Sequence, residues 1–287
     1  MEGSFLVQMI INGLVLGLYY VLMASGFSLI FGIARIFNFA HGDMVMFGAY
    51  ITYVVVSKIN LSYGLGILLG VIGVALMGVI FNNYVYKPVR RMMYASFMVS
   101  VGLGIALPAV ALKIFGETER TVPRIFHGTV NLFGATVTME RVAVIIACTI
   151  VVITLFLFVG RTRIGKAMRA VAYNPDVAAL QGINVERICL IAFIAGAVLA
   201  GLAGGIVAPL FTIHPMMGGI AIFKVMVVVI LGGLGSISGA LVAGLVLGFI
   251  ESFGVTLIGY EAHMIGWIMV IILLYFRPWG LLGRELA

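Results

Sequence analysis

Of 287 residues, 63% are hydrophobic and only 9% charged, against roughly a quarter charged in a soluble domain, so a soluble globular protein is excluded. The formal charge of +7 does not point to nucleic acid, because the cations cluster at the ends of apolar runs, where lysine and arginine report membrane topology. Cys148 and Cys189 lie in separate apolar segments, which argues against a disulfide framework or a cysteine metal site.

Apolar runs and breakers predict an all-α, polytopic transmembrane bundle of eight to nine helices, some broken or re-entrant: 5–33, 44–57, 63–85, 96–115, 142–159, 188–207, 219–231, 237–253 and 263–276. A spanning helix needs about 20 apolar residues. A transmembrane barrel would show strict alternation, which the runs lack. The N-terminal Met1-Glu2-Gly3-Ser4 carries no basic region and the first run is longer than a signal-peptide core, so it reads as a retained first span.

Cations then sort by side. Lys87, Arg90 and Arg91, then Arg161, Arg163, Lys166, Arg169 and Arg187, then Arg277 and Arg284 fall on one side, which the positive-inside rule makes cytoplasmic. Lys58, Arg120, Arg124, Arg141 and Lys224 fall on the other, accompanied by Glu117, Glu119, Glu140, Glu251 and Glu261. The N-terminus is expected outside and the C-terminus inside.

Two predicted helices, 44–57 and 219–231, are too short to cross squarely at about 1.5 Å per residue. The first follows Arg35-Ile36-Phe37-Asn38-Phe39-Ala40-His41-Gly42-Asp43, and the second precedes Gly232-Gly233-Leu234-Gly235-Ser236. Broken backbone at membrane depth needs protein or a water-filled cavity around it, and a matching pair in the two halves points to a transport path. The candidate path residues are Asn38, His41 and Asp43, with Gly232, Gly233 and Gly235 opposite. Asn12, one helical turn from Gln8, either lines the same cavity or bonds a neighbouring helix. The bland alternative is a solvated turn at Arg35 and Asp43, against which the interleaved Phe37 and Phe39 count.

Small residues recur four apart, as at Gly13 and Gly17 or Gly244 and Gly248, a spacing that lets helix backbones approach closely in lipid. Between the fifth and sixth runs lies a basic island, 161–187. Within it Asn174 suits an N-cap, Pro175 the first helical position, Asp176 the positive helix end and Gly182 a left-handed C-cap, which predicts a short surface helix over 175–181. Gly160-xxxx-Gly165-Lys166 imitates a phosphate loop but continues with Ala167 and follows a membrane helix where such a loop follows a strand, so nucleotide binding is not expected here.

The blocks Asn12-Gly13-Leu14, Leu18 to Ala24, Phe27 to Gly32, Asn38-Phe39-Ala40-His41-Gly42-Asp43, Phe47-Gly48-Ala49-Tyr50, Gly165 to Arg169, Asn174 to Asn184 and Leu231-Gly232-Gly233-Leu234-Gly235-Ser236 together resemble the permease subunit of branched-chain amino-acid ABC importers. That resemblance covers about Asn12 to Gly283. It implies a single transmembrane permease domain, 1–287, in the bacterial cytoplasmic (inner) membrane, which pairs with a similar or identical permease. It also implies a periplasmic substrate-binding protein and two cytoplasmic ATPase subunits, with ATP and magnesium on those partners and no cofactor in this chain. The island 161–187 matches the region where such permeases contact their ATPases, making Arg169, Asn174, Pro175, Asp176, Ala178, Ala179 and Gly182 the candidate coupling residues. The likeness to the Glu-Ala-Ala…Gly loop of other ABC importers is loose, since no glutamate precedes the alanines. Related permeases serve urea or short amides. A stand-alone secondary transporter or channel, or more remotely a membrane enzyme using His41 and Asp43, are the competing readings.

Overall fold

The computed structural model describes residues 2–90, 92–126, 128–132 and 134–283. Arg91 and Arg284, two of the cations used above, lie outside the described residues.

The bundle is built around one long helix. Helix α1 (Glu2–Ala34) has 33 residues, and 83% of its most apolar window is buried, whereas a helix bathed in lipid would leave most of its surface bare. It packs against α10 (Ile237–Leu257), α8 (Val185–Val207), α9 (Met217–Gly232) and α5 (Met139–Arg161). Small residues make this possible: a Cβ added at Gly248 of α10 would stand 2.2 Å from the Gly17 nitrogen of α1, so the two backbones touch where longer side chains would hold them apart. Around this hub α3 (Tyr63–Ile80), α4 (Met93–Phe115), α5 and α11 (His263–Phe276) turn Leu68, Ile105, Ile150, Ile271 and similar residues outward. Such an apolar exterior suits hydrocarbon and would aggregate in water.

Among the described residues six helices are long and apolar enough to cross a membrane, namely α1, α3 with its continuation to Tyr86, α4, α5, α8 and α10. Helices α9 and α11 are apolar but shorter. The ninth expected segment is α2 (His41–Tyr53), which continues through a π-helical stretch, Val54–Lys58. It begins three residues earlier than its apolar pattern suggested, because His41, Gly42 and Asp43 are wound into the first turn and buried. Helix α9 has 16 residues, about 24 Å of rise at about 1.5 Å per residue, and remains short. The all-α expectation describes the bundle; the addition is a small antiparallel hairpin of β1 (Thr129–Leu132) and β2 (Ala135–Thr138), where β-branched residues favour extended chain.

The loops gather at two ends. At one, Arg35 reaches the Ala172 carbonyl at 3.4 Å, Lys87 pairs with Glu186 at 2.9 Å, and Gly233 packs against Trp279 and Gly283. At the other, Arg120 and Ile213 exchange backbone hydrogen bonds and Ile125 donates to Glu140. Two of the charges sorted to the outer side lie well inside helices and not in loops, Lys224 in α9 and Glu251 in α10.

Candidate translocation site

A cavity of about 520 Å³ opens among the helix ends at the Arg120–Ile213 side. Its wall comes from the middle of α1, the start of α5, the stretch after α8, the first half of α9, the end of α10 and the start of α11. Six elements therefore converge on it. Most of the wall is apolar, including Val15, Leu16, Ile220 and Ala221.

The polar part is an ionic cluster. Glu251, with 1% of its side chain exposed, pairs with Lys224 through Oε1 and accepts a hydrogen bond from the Tyr20 hydroxyl at 2.5 Å on Oε2. His263 Nδ1 stands 3.5 Å from Glu251 Oε1 and 3.2 Å from Lys224 Nζ. A buried carboxylate is tolerated only when paired and hydrogen-bonded on its remaining lone pairs. Glu251 meets that condition, and in return it fixes the Lys224 ammonium, 17% exposed, at the cavity wall. Nearby, Arg141 donates to Asn12 Oδ1, so Asn12 both lines the cavity and bonds a neighbouring helix. This cluster was not visible as a motif, since Tyr20, Lys224, Glu251 and His263 come from four helices; the one available signal was a lysine inside an otherwise apolar run.

The Asn38–Asp43 block sits elsewhere, inside the bundle. Asn38 accepts from the Tyr86 hydroxyl at 2.7 Å and packs its amide on the Met44 sulfur. His41 Nε2 lies 3.0 Å from the Met23 carbonyl. Asp43, 3% exposed, packs against Gly218 at the start of α9. Among the described residues Asp43 Oδ1, His41 Nδ1 and the hydroxyls of Ser25 and Ser28 have no hydrogen-bond partner. Phe27, Phe37, Phe39 and Phe97 pack there with edge-on ring contacts, so the solvated-turn alternative fails for the buried Asp43 and holds only for Arg35, which is exposed. Asn38, His41 and Asp43 are not in the cavity wall, but Met23 lines the cavity and its carbonyl meets His41.

Gly232, Gly233 and Gly235 are close-packing positions at the opposite end. A Cβ on Gly232 would stand 2.4 Å from the Gly239 carbonyl carbon, and Gly235, at φ +79°, lies against Gly32 of α1. Gly233, at φ +100°, meets Gly283 and Trp279. Only Gly235 faces the end of α1, and none of the three has the Asn38–Asp43 block among these packing neighbours.

The basic island folds as two short helices. Thr162 accepts from the Gly165 nitrogen at 2.9 Å and starts α6 (Arg163–Tyr173), a helix the breakers in the sequence had hidden, although Thr162 and the spacing of Ile164, Met168 and Val171 mark it. Arg169 turns back to the Val159 carbonyl. Asn174 Oδ1 then accepts from the nitrogens of Asp176 and Val177 at 3.0 and 3.1 Å, opening α7 (Pro175–Leu180). Gly182 takes φ +79°. Ala178 is buried, whereas Pro175, Asp176, Val177, Ala179 and Leu180 are exposed, Leu180 at 87% and the preceding Tyr173 at 84%.

Residues 9–276 match the family model described as branched-chain amino acid transport system / permease component. The chain belongs to that family. It is 29% identical to the high-affinity branched-chain amino acid transport system permease protein LivH of Salmonella typhimurium, over 98% of this chain and 96% of the relative. BraD of Pseudomonas aeruginosa, the permease protein of a system with the same description, is 29% identical over 96% and 95% of the two chains. A probable branched-chain amino acid transport permease of Methanocaldococcus jannaschii is 29% identical over 92% and 89%. No solved structure matches. The chain is thus a membrane-embedded transport subunit and not an enzyme, which removes the reading of His41 and Asp43 as catalytic groups.

Proposed function

We propose that this chain is one permease subunit of an ATP-driven importer of branched-chain or related small amino acids, set in the inner membrane with its N-terminus outside and its C-terminus inside. The observation that carries the reading is the pairing, in a member of this permease family, of an amphiphilic cavity at one end with a capped helical platform at the cation-rich end. A binding protein delivers substrate at the cavity end. Two ATPase subunits, holding ATP and magnesium, dock on 161–187 at the other; Tyr173, Val177, Ala179 and Leu180 present an exposed apolar surface there, with Arg169, Asn174, Pro175, Asp176, Ala178 and Gly182 shaping it. The second permease subunit packs against the outer helices.

The path runs from the cavity past Met23 and along the seam of polar atoms at His41, Asp43, Ser25 and Ser28. Open hydrogen-bonding valences inside a bundle are costly and persist where a passing solute or water can use them. Gly232, Gly233 and Gly235 close its inner end by tight packing with Gly32 and Trp279. Uptake of labelled leucine, isoleucine, valine and urea into proteoliposomes holding the assembled complex tests the reading. Leucine uptake that requires both ATP and the binding protein is expected; uptake without any ATPase would instead make the chain a stand-alone transporter.

A further inference from the structure

The cavity carries an unbalanced charge set. Its titratable lining residues are Tyr19, Tyr20, Arg141, His214, Lys224, Glu251 and His263. Glu251 is the sole carboxylate among them, and it is already engaged by Lys224, Tyr20 and His263. Arg141 is held by Asn12 at the same wall. Two permanent cations thus stand against one satisfied anion, in a pocket whose remaining wall is mostly aliphatic and aromatic, with Asn12, Thr212, Ser252 and Thr256 as neutral polar groups. A volume of about 520 Å³ falls in the range of small-molecule sites, about 300–1,000 Å³.

We infer that the cavity is a low-affinity substrate station in which Lys224, positioned by Glu251, receives the carboxylate of the amino acid, with Arg141 supplying the second positive charge and Val15, Leu16 and Ile220 receiving its aliphatic body. This rests on the permease reading above and adds to it where, and by which group, the substrate is held. The ionic cluster has the required build: an ammonium partly exposed at the wall, restrained from behind by a buried carboxylate that cannot itself be reached. A cation fixed in advance binds an anion without the ordering cost a free lysine carries. The site must also be weak, because a solute bound tightly on its path leaves slowly. Its selectivity is then for the carboxylate: an amide of the same side chain brings no charge to Lys224.

The test uses the complete membrane complex in lipid nanodiscs without binding protein, in the nucleotide-free and the ATP-vanadate-trapped states. Saturation-transfer NMR is recorded with leucine, N-acetyl-leucine and leucinamide. Leucine and N-acetyl-leucine should give saturable signals in the millimolar range in at least one state, with leucinamide at least tenfold weaker. Because loss of one partner leaves a buried charge unpaired, the informative variant is the double change Lys224→Met with Glu251→Gln, which should weaken leucine at least tenfold while the complex assembles and hydrolyses ATP. Lys224→Arg should retain carboxylate preference. Equal binding of leucinamide, undiminished leucine binding in the double variant, or no leucine signal in either state overturns the inference. ATP-driven leucine uptake by the wild-type complex with its binding protein is scored separately: uptake without cavity binding sinks this station alone, whereas an assembled complex that takes up no amino acid sinks the permease reading.

Discussion

Two helix starts in this chain are rich in polar residues, and they use them in opposite ways. At α7 the Asn174 side chain spends its oxygen on the first turn of its own helix, which leaves the helix self-contained and its apolar residues free to meet another protein. At α2 the preceding Ala40 makes no side-chain cap, and Asn38, His41 and Asp43 point their polarity into the bundle, where Asp43 Oδ1 and His41 Nδ1 lack partners among the described residues. A satisfied helix start in water suits the docking platform proposed for α7; an unsatisfied one in a dry interior suits the polar passage proposed at α2. The two starts also differ in tolerance. That of α2 is clamped by backbone, while that of α7 stands clear.

The clamp gives the largest expected effect. A Cβ at Gly42 would stand 2.1 Å from the Gly218 carbonyl oxygen, a backbone atom that cannot swing aside as a side chain does, and overpacking by more than this methyl commonly costs about 1–3 kcal/mol or more. Gly42→Val should therefore abolish recovery of monodisperse complex in detergent. Gly219, with no heavy atom within 4 Å of an added Cβ, should accept alanine with wild-type yield. Equal yields from the two variants would break the contrast between a clamped position and an open one.

At α7 the expectation is loss of coupling without loss of structure. Asp176 and Ala179 are exposed, so changing both to lysine should leave insertion and yield unchanged. The reversed charge at 176 opposes the positive helix end, and at 179 a long side chain replaces a small contact surface. Uptake should fall to background and the ATPase should no longer co-purify. Normal uptake with normal co-purification would show that the platform docks nothing.

Smaller still is the effect of His41→Ala and Asp43→Asn. Each keeps the clamp; Asp43→Asn alters only a polar valence at the start of α2, whereas His41→Ala also removes a buried ring packed edge-on against Phe27, so abundance must be matched, and transport rate should then fall several-fold while the preference among amino acids stays. Cysteines at 38 and 41 should react with small water-soluble thiol reagents during turnover. Normal rates in both variants, with inert cysteines in every transport state, would make the seam ordinary packing.

What the sequence disclosed follows from how far apart the cooperating residues lie. The capped helix at 175–180 was legible because its N-cap, Pro175 and C-terminal glycine are neighbours, each acting on backbone a few residues away. The bundle was legible because twenty apolar residues announce a span whatever they pack against. The Lys224–Glu251–His263 cluster was not: Lys224 and Glu251 were counted only as charges of the outer side and His263 only as the start of a helix, and it takes the packing of α9 against α10 and α11 to bring the three together. The start of α2 was misjudged by three residues for a related reason, since His41 and Asp43 break an apolar pattern that burial by neighbouring helices overrides.

Asn174→Ala is the finest probe of the comparison. Its oxygen satisfies two amide groups of a six-residue helix, and a helix so short has little cooperative strength of its own, so removal of the cap acts on most of the element. Losing an asparagine cap costs about 1 kcal/mol, close to a fivefold shift in a local equilibrium. Pro175 still fixes the first turn, and Ala178 is still buried against the body of the protein, so α7 should fray and not vanish. ATPase titrated onto proteoliposomes should bind a few-fold more weakly, uptake should be partly retained, and Asn174→Asp or Asn174→Ser should restore both because each can accept the same two bonds. If Asn174→Ala instead falls as far as the double lysine variant, and aspartate does not rescue it, then Asn174 itself touches the partner and its capping role is secondary.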